Sequence, residues 1–162
     1  MGHHINAVIG PAEALAKIVA AAGCPAPTEL PFDLAIAPLG HEQIDKLTRL
    51  EVSEVAEGFR YLSPALERVL LEAADGGTFA YVETEYFGGM GYQAAAIFSP
   101  QQSVTRLAQA ETDEPARSDS PINRALRFLG VRATPGQDEF DTLGLRRFRD
   151  LEALGLDEWG DD

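Results

Sequence analysis

F-A-Y-V-E-T-E-Y-F-G-G-M-G-Y-Q-A-A-A-I-F, residues 79–98, sets two β-rich runs on either side of a glycine cluster. Aromatic and β-branched residues bounded by Gly predict an antiparallel hairpin. S-P-Q-Q and then S-V-T-R-L-A add a second turn and a third strand, making a meander. In an extended strand alternate residues share a face. Phe79, Tyr81, Glu83, Glu85 and Phe87 therefore lie on one side, and Ala80, Val82, Thr84 and Tyr86 on the other. The second set reads as core. The first set is aromatic at its ends and acidic between, and burying two unpaired carboxylates costs several kcal/mol each. That face is expected to stand open or to be matched by positive groups.

Outward from the hairpin, helices and strands alternate. Ile5 to Ile9 predict a strand, Ala12 to Ala22 a helix preceded by Pro11 and ended by Gly23, and F-D-L-A-I-A-P-L a second strand. C-P-A-P-T-E-L-P cannot continue a helix, because its prolines lack the required donors. His41 to Leu50 predict a further helix. Glu51, Glu54 and Glu57 follow at spacing three, which on a helix would place them on one side. Ser63-Pro64 and Ser120-Pro121 each read as a cap followed by proline at the first helical position. Residues 109–120 read as a polar loop, the stretch after 138 as short helical turns, and 157–162 as an acidic tail with Trp159 as an anchor. The expected architecture is one domain over residues 1–162, α+β or α/β, with the central antiparallel hairpin and meander in a mixed sheet and helices packed on it.

Thirteen Lys and Arg stand against 26 Asp and Glu, a net charge of −13. A field of that sign repels phosphate backbones and anionic lipid, so nucleic acid and membrane are not expected partners, whereas a basic protein is. Part of the charge also serves solubility. Cys24 is the only cysteine, so no disulfide forms within the chain, and no basic region precedes an apolar one as in a secretory signal. A cytoplasmic location is the expectation.

Catalytic signatures are missing. There is no H-E-x-x-H and no C-x-x-C; G-G-M-G is followed by no G-K-[S/T], and no G-x-S-x-G occurs. No catalytic residue, metal ligand or cofactor is therefore assigned. The hairpin itself reads as a recognition surface, with Tyr81, Glu83, Glu85, Phe87, Met90, Tyr92 and Gln93 as candidate partner-binding residues. Aromatic and Met side chains supply contact area and acids supply charge matching. The alternative is a small metal-dependent hydrolase using Glu83, Glu85 and a histidine from positions 3, 4 or 41. Beside Ile5, His3 or His4 reads as a hydrogen-bonding group at a strand end.

The start M-G-H-H-I-N-A-V-I-G, the block Y-V-E-T-E-Y-F-G-G-M-G-Y-Q-A-A-A-I-F, and P-I-N-R-A-L-R-F-L-G-V with D-E-F-D-T-L-G-L resemble a group of small, acidic, uncharacterised bacterial proteins. Some of that group are similar to immunity proteins carried beside polymorphic toxins of the Rhs or contact-dependent type. The resemblance implies a stoichiometric inhibitor of a cognate protein toxin, held in the cytoplasm of the producing cell, and it carries no binding residues with it.

Overall fold

The computed structural model describes residues 3–51, 54–87, 90–101, 103–108 and 120–156. Six strands form one sheet: β1 (His3–Gly10), β2 (Thr28–Leu30), β3 (Leu34–Pro38), β4 (Phe79–Phe87), β5 (Met90–Ser99) and β6 (Ser103–Ala108). Their order is β2-β3-β1-β4-β5-β6. Every pairing is antiparallel, including both neighbours of β1, so no mixed pairing occurs among the described strands and the class is α+β. The anticipated hairpin is β4–β5, in register from Phe79↔Phe98 to Phe87↔Met90. Gly91 is required there by close approach, since a Cβ at that position would lie 1.8 Å from the Glu85 carbonyl oxygen. Gly88, Gly89, the loop at 109–119 and the tail at 157–162 with Trp159 lie outside the described residues, as do the side chains of Phe87 and Met90.

Helices cover both faces of the sheet. On one face, α1 (Ala12–Ala22), α2 (His41–Thr48) and α3 (Pro64–Ala73) set Leu15, Ile18, Leu47, Leu66 and Leu70 against Val8, Phe79, Tyr81 and Phe98. On the other, α4 (Pro121–Phe128), α5 (Glu139–Leu143) and two 3₁₀ turns (Leu145–Arg147 and Leu151–Leu154) set Ile122, Leu126, Phe140 and Leu151 against Ile5, Ala80, Val82 and Ile97. Sheets buried on both faces read as near-continuous apolar runs, which explains A-A-A-I-F in β5. That stretch is an interior strand, with Ala94, Ala95 and Ala96 fully buried.

Local chemistry starts and stops the helices as expected. Ser63 Oγ accepts from Leu66 N at 3.1 Å, and Ser120 Oγ accepts from Asn123 N at 3.4 Å. Gly23 ends α1 in the left-handed conformation, with its N–H on Val19 O. Three expectations change. A short strand, β2, occupies Thr28–Leu30 within C-P-A-P-T-E-L-P, where the sequence predicts only the end of a helix, and the chain then turns through Phe32 and Asp33, both left-handed. Helix α2 stops at Thr48, because Arg49 (φ 56°) and Leu50 (φ 63°) take left-handed conformations that break the helical ladder. The described residues of Glu51–Glu57 are not helical, so those three acids share no helix face; Glu51 pairs with Arg68, while Glu54 and Glu57 are exposed.

Candidate functional site

The acidic face of β4 is sealed over Glu83 and left part-open at Glu85. Residues 54–63 run from α2 to α3 across the sheet, and Phe59 and Leu62 are buried in the same cluster as Tyr81 and Tyr92. Glu83, in the middle of β4, is 0% exposed. Its Oε1 accepts from Arg60 N (2.8 Å) and from the Tyr92 hydroxyl (2.5 Å). Its Oε2 accepts from Tyr61 N (2.9 Å) and from the Tyr81 hydroxyl (2.6 Å). Each oxygen thus takes one backbone amide and one phenol, filling the four acceptor positions a carboxylate offers. Burial, and then the Glu83 charge, push both phenols well above the usual tyrosine range, which keeps them protonated as donors.

Arg60 completes the arrangement from outside. Its guanidinium lies 4.3 Å from the Tyr92 ring centroid and pairs with Glu85. The expectation of an uncovered, partner-facing hairpin is therefore corrected at its described side chains. Tyr81, Glu83, Tyr92 and Gln93 are all buried, and Glu85 is half-buried against Arg60. A carboxylate's burial cost is offset when hydrogen bonds to it replace those of water, and here four do. Glu83 acts as a clamp that holds the 54–62 segment onto the sheet. The signal for this was present in the sequence: Phe79, Tyr81 and Tyr92 flank Glu83 on one face, and phenols beside an acid can satisfy it internally.

The opposite face is fastened by neutral groups. Gln93 Oε1 accepts from Ile122 N at 2.9 Å, one of the orphan donors at the start of α4, while its Nε2 donates to the Tyr86 hydroxyl at 3.3 Å. Asn123, fully buried, accepts from Phe140 N at 2.7 Å and donates to Asp138 at 3.2 Å. His3 Nε2 donates to Leu145 O at 3.0 Å, so its Nδ1 accepts from the Thr84 hydroxyl at 2.8 Å. Burial, the largest cause, lowers the His3 pKa below its ordinary 6.5. His3 is the strand-end group the sequence suggested.

These bonds also bear on metal chemistry. Glu83 has no acceptor position left, Glu85 is held by Arg60, and His41 packs edge-on against Tyr61 at 5.6 Å. Among the described residues no group of three or more His, Cys, Asp or Glu is placed to hold a metal ion. Glu83 and Glu85 with a histidine thus make no ligand set. Cys24 donates to Pro38 O at 3.2 Å, and burial pushes its thiol up to about 11, away from the thiolate a nucleophile needs.

A different region carries the exposed chemistry. In the α2–α3 connection Leu50, just before Glu51, is 70% exposed, and Val55, between Glu54 and Glu57, is 42% exposed. Glu54, Val55 and Glu57 line a cleft of about 380 Å³ with Leu62, Pro64 and Glu67. Glu67 grips Arg106 through two bonds of 2.6 Å, whereas neither Glu54 nor Glu57 has an ion-pair partner among the described residues.

Fold and site together define an α+β protein with a six-stranded antiparallel sheet enclosed by two helical layers and a clamped, acidic connecting loop. No family model, curated protein or solved structure matches the chain. Among the described residues no helix is long and apolar enough to cross a membrane.

Proposed function

We propose that this protein neutralises a basic protein partner by forming a stoichiometric complex, and that it does so through the α2–α3 connection rather than the hairpin. The observation that carries this reading is Leu50, whose 70% exposed side chain sits on a left-handed residue directly after left-handed Arg49. A left-handed conformation costs a non-glycine residue roughly 1–2 kcal/mol. Here the turn closes α2, with the Leu50 N–H on Asp45 O at 3.1 Å, while the leucine side chain itself gains no burial. Strained residues and exposed apolar groups concentrate at recognition sites.

The surrounding groups suit a cationic counterpart. Glu54 and Glu57 are unpaired among the described residues, and Val55 adds apolar contact beside them. A net charge of −13 steers a basic partner toward any face of the molecule, and local acids then fix its register. The Glu83 clamp supports the same reading, since a loop held in place before binding loses less entropy on association. The resemblance to immunity proteins makes a cognate bacterial toxin the first partner to test, with the complex formed in the cytoplasm.

The test is co-expression with the product of the neighbouring upstream gene. That product is expected to be toxic alone and harmless beside this protein, and Leu50→Ala with Glu54→Lys and Glu57→Lys is expected to restore toxicity while folding normally. The complex of the triple variant should also gain less from low salt than wild type does. A harmless neighbour, or full protection by the triple variant, would remove the basis for the reading.

A further inference from the structure

We propose that the basic partner contributes an extended segment of its own backbone, which pairs with the outer edge of β6 and lengthens the sheet by one strand. Among the described residues β6 (Ser103–Ala108) pairs with β5 alone, at the end of the strand order. Alternate N–H and C=O groups along its other side therefore meet no backbone partner there. An unpaired row of that kind is a template for an added strand, held by main-chain hydrogen bonds.

The two edges of the sheet differ. At the far edge β2 has three residues, Thr28–Leu30, set between Pro27 and Pro31, with Glu29 exposed. Short length, flanking proline and an exposed charge are devices that keep an edge from pairing. β6 has six residues, S-V-T-R-L-A, without proline or glycine. Its one charge, Arg106, is neutralised by the two bonds of 2.6 Å to Glu67. Val104 and Leu107 pack against the two opposite cores, which anchors the strand from both faces.

Charge and position identify the occupant. Arg106 lines the same cleft as Glu54, Val55 and Glu57, so the edge continues into the surface proposed above. A strand added beside β6 lies about 4.8 Å from it, with alternate side chains on the Arg106 side. Lysines or arginines there meet Glu54 and Glu57, which have no ion-pair partner among the described residues, while Arg106 stays held by Glu67. A second copy fits less well. Each chain carries −13, and a pairing of six residues alone falls short of the roughly 1,200 Å² of a stable interface. A basic partner at the α2–α3 connection is presupposed, and the two ideas fail separately.

Titration of the isotope-labelled full chain with a peptide of alternating Lys and Thr, about eight residues long, tests it. Saturable amide shifts centred on β6 are expected, with Glu54 and Glu57 moving as well. Methylation of every peptide nitrogen keeps the charges and side chains but removes the N–H donors, and is expected to weaken binding about tenfold, or 1.4 kcal/mol. Equal binding by the methylated peptide reduces the effect to charge and overturns the proposal. So does an unmoved β6 up to about 10 mM peptide, ten times a Kd of about 1 mM. Slow exchange at every β6 amide before peptide is added also overturns it, because the edge is then already filled. The filler is a second copy if the mass in solution is doubled, and the chain itself if it is not. Co-expression separates the edge from the partner: protection with an unmoved β6 sinks the edge alone, and toxicity with β6 engaged by the peptide sinks the partner alone.

Discussion

Glu83 and the pair Glu54 and Glu57 are the same residue type in opposite circumstances. Glu83 is wholly enclosed and receives four donors, two from the backbone of the segment laid over it. Glu54 and Glu57 lie on that same segment, facing water with no ion-pair partner among the described residues. The buried acid determines where the exposed acids stand. A carboxylate's contribution therefore follows from what donates to it, and the chain's acidic balance by itself says nothing about which acids face a partner.

Removing the clamp should produce the largest effect. Glu83→Ala leaves two phenols and two amides without their acceptor, and a loss of about 3–5 kcal/mol in urea unfolding is expected. A loss near that of a surface acid would mean that water replaces the carboxylate. Tyr92→Phe and Tyr81→Phe each remove one donor while the others remain, so about 1–2 kcal/mol apiece is expected. Because the two phenols share one carboxylate, the double variant should depart from simple addition, and a strictly additive result would argue against a common site.

The neutral fastening on the other face gives a pH signature. His3 has its pKa lowered by burial, so the unfolded chain binds a proton that the folded chain resists. Its contribution is fully present above about pH 6.5 and is lost as pH falls toward the lowered folded value. Wild type should thus lose stability faster than His3→Gln between neutral and mildly acidic pH, as read from the difference between their thermal melts. Parallel melts across that range would place the His3 ring in water. Smallest of all, Glu54→Ala and Glu57→Ala should change stability by no more than about 0.5 kcal/mol. Leu50→Gly should be neutral or slightly stabilising, because glycine accepts φ 63° without strain. A clear destabilisation by Leu50→Gly would assign that leucine to folding and away from recognition.

Much of this fold was legible because it is encoded locally. The β4–β5 hairpin, the Ser-Pro starts of α3 and α4, and the Gly23 stop of α1 each follow from residues within a few positions of the feature they specify. Alternation also assigned Phe79, Tyr81, Glu83 and Glu85 correctly to one face. It could not say whether that face was covered, because strand parity records sidedness alone, and the covering residues, 54–62, are over 20 positions away. The same limit hid Gln93, whose partner is the start of α4. The Glu51–Glu57 spacing suggested a helix because period three is common there, but the left-handed turn at Arg49 and Leu50 has no glycine to announce it.

Hydrogen exchange at the Arg60 and Tyr61 amides tests the clamp most directly. Both belong to a segment without regular secondary structure, where unprotected amides exchange rapidly, yet each donates to Glu83. Strong protection of these two amides in wild type, lost in Glu83→Gln while the β4–β5 amides stay protected, is the predicted result. Rapid exchange of both in the wild-type protein would contradict the account, since Glu83 could not then be holding the segment that carries the proposed contact residues.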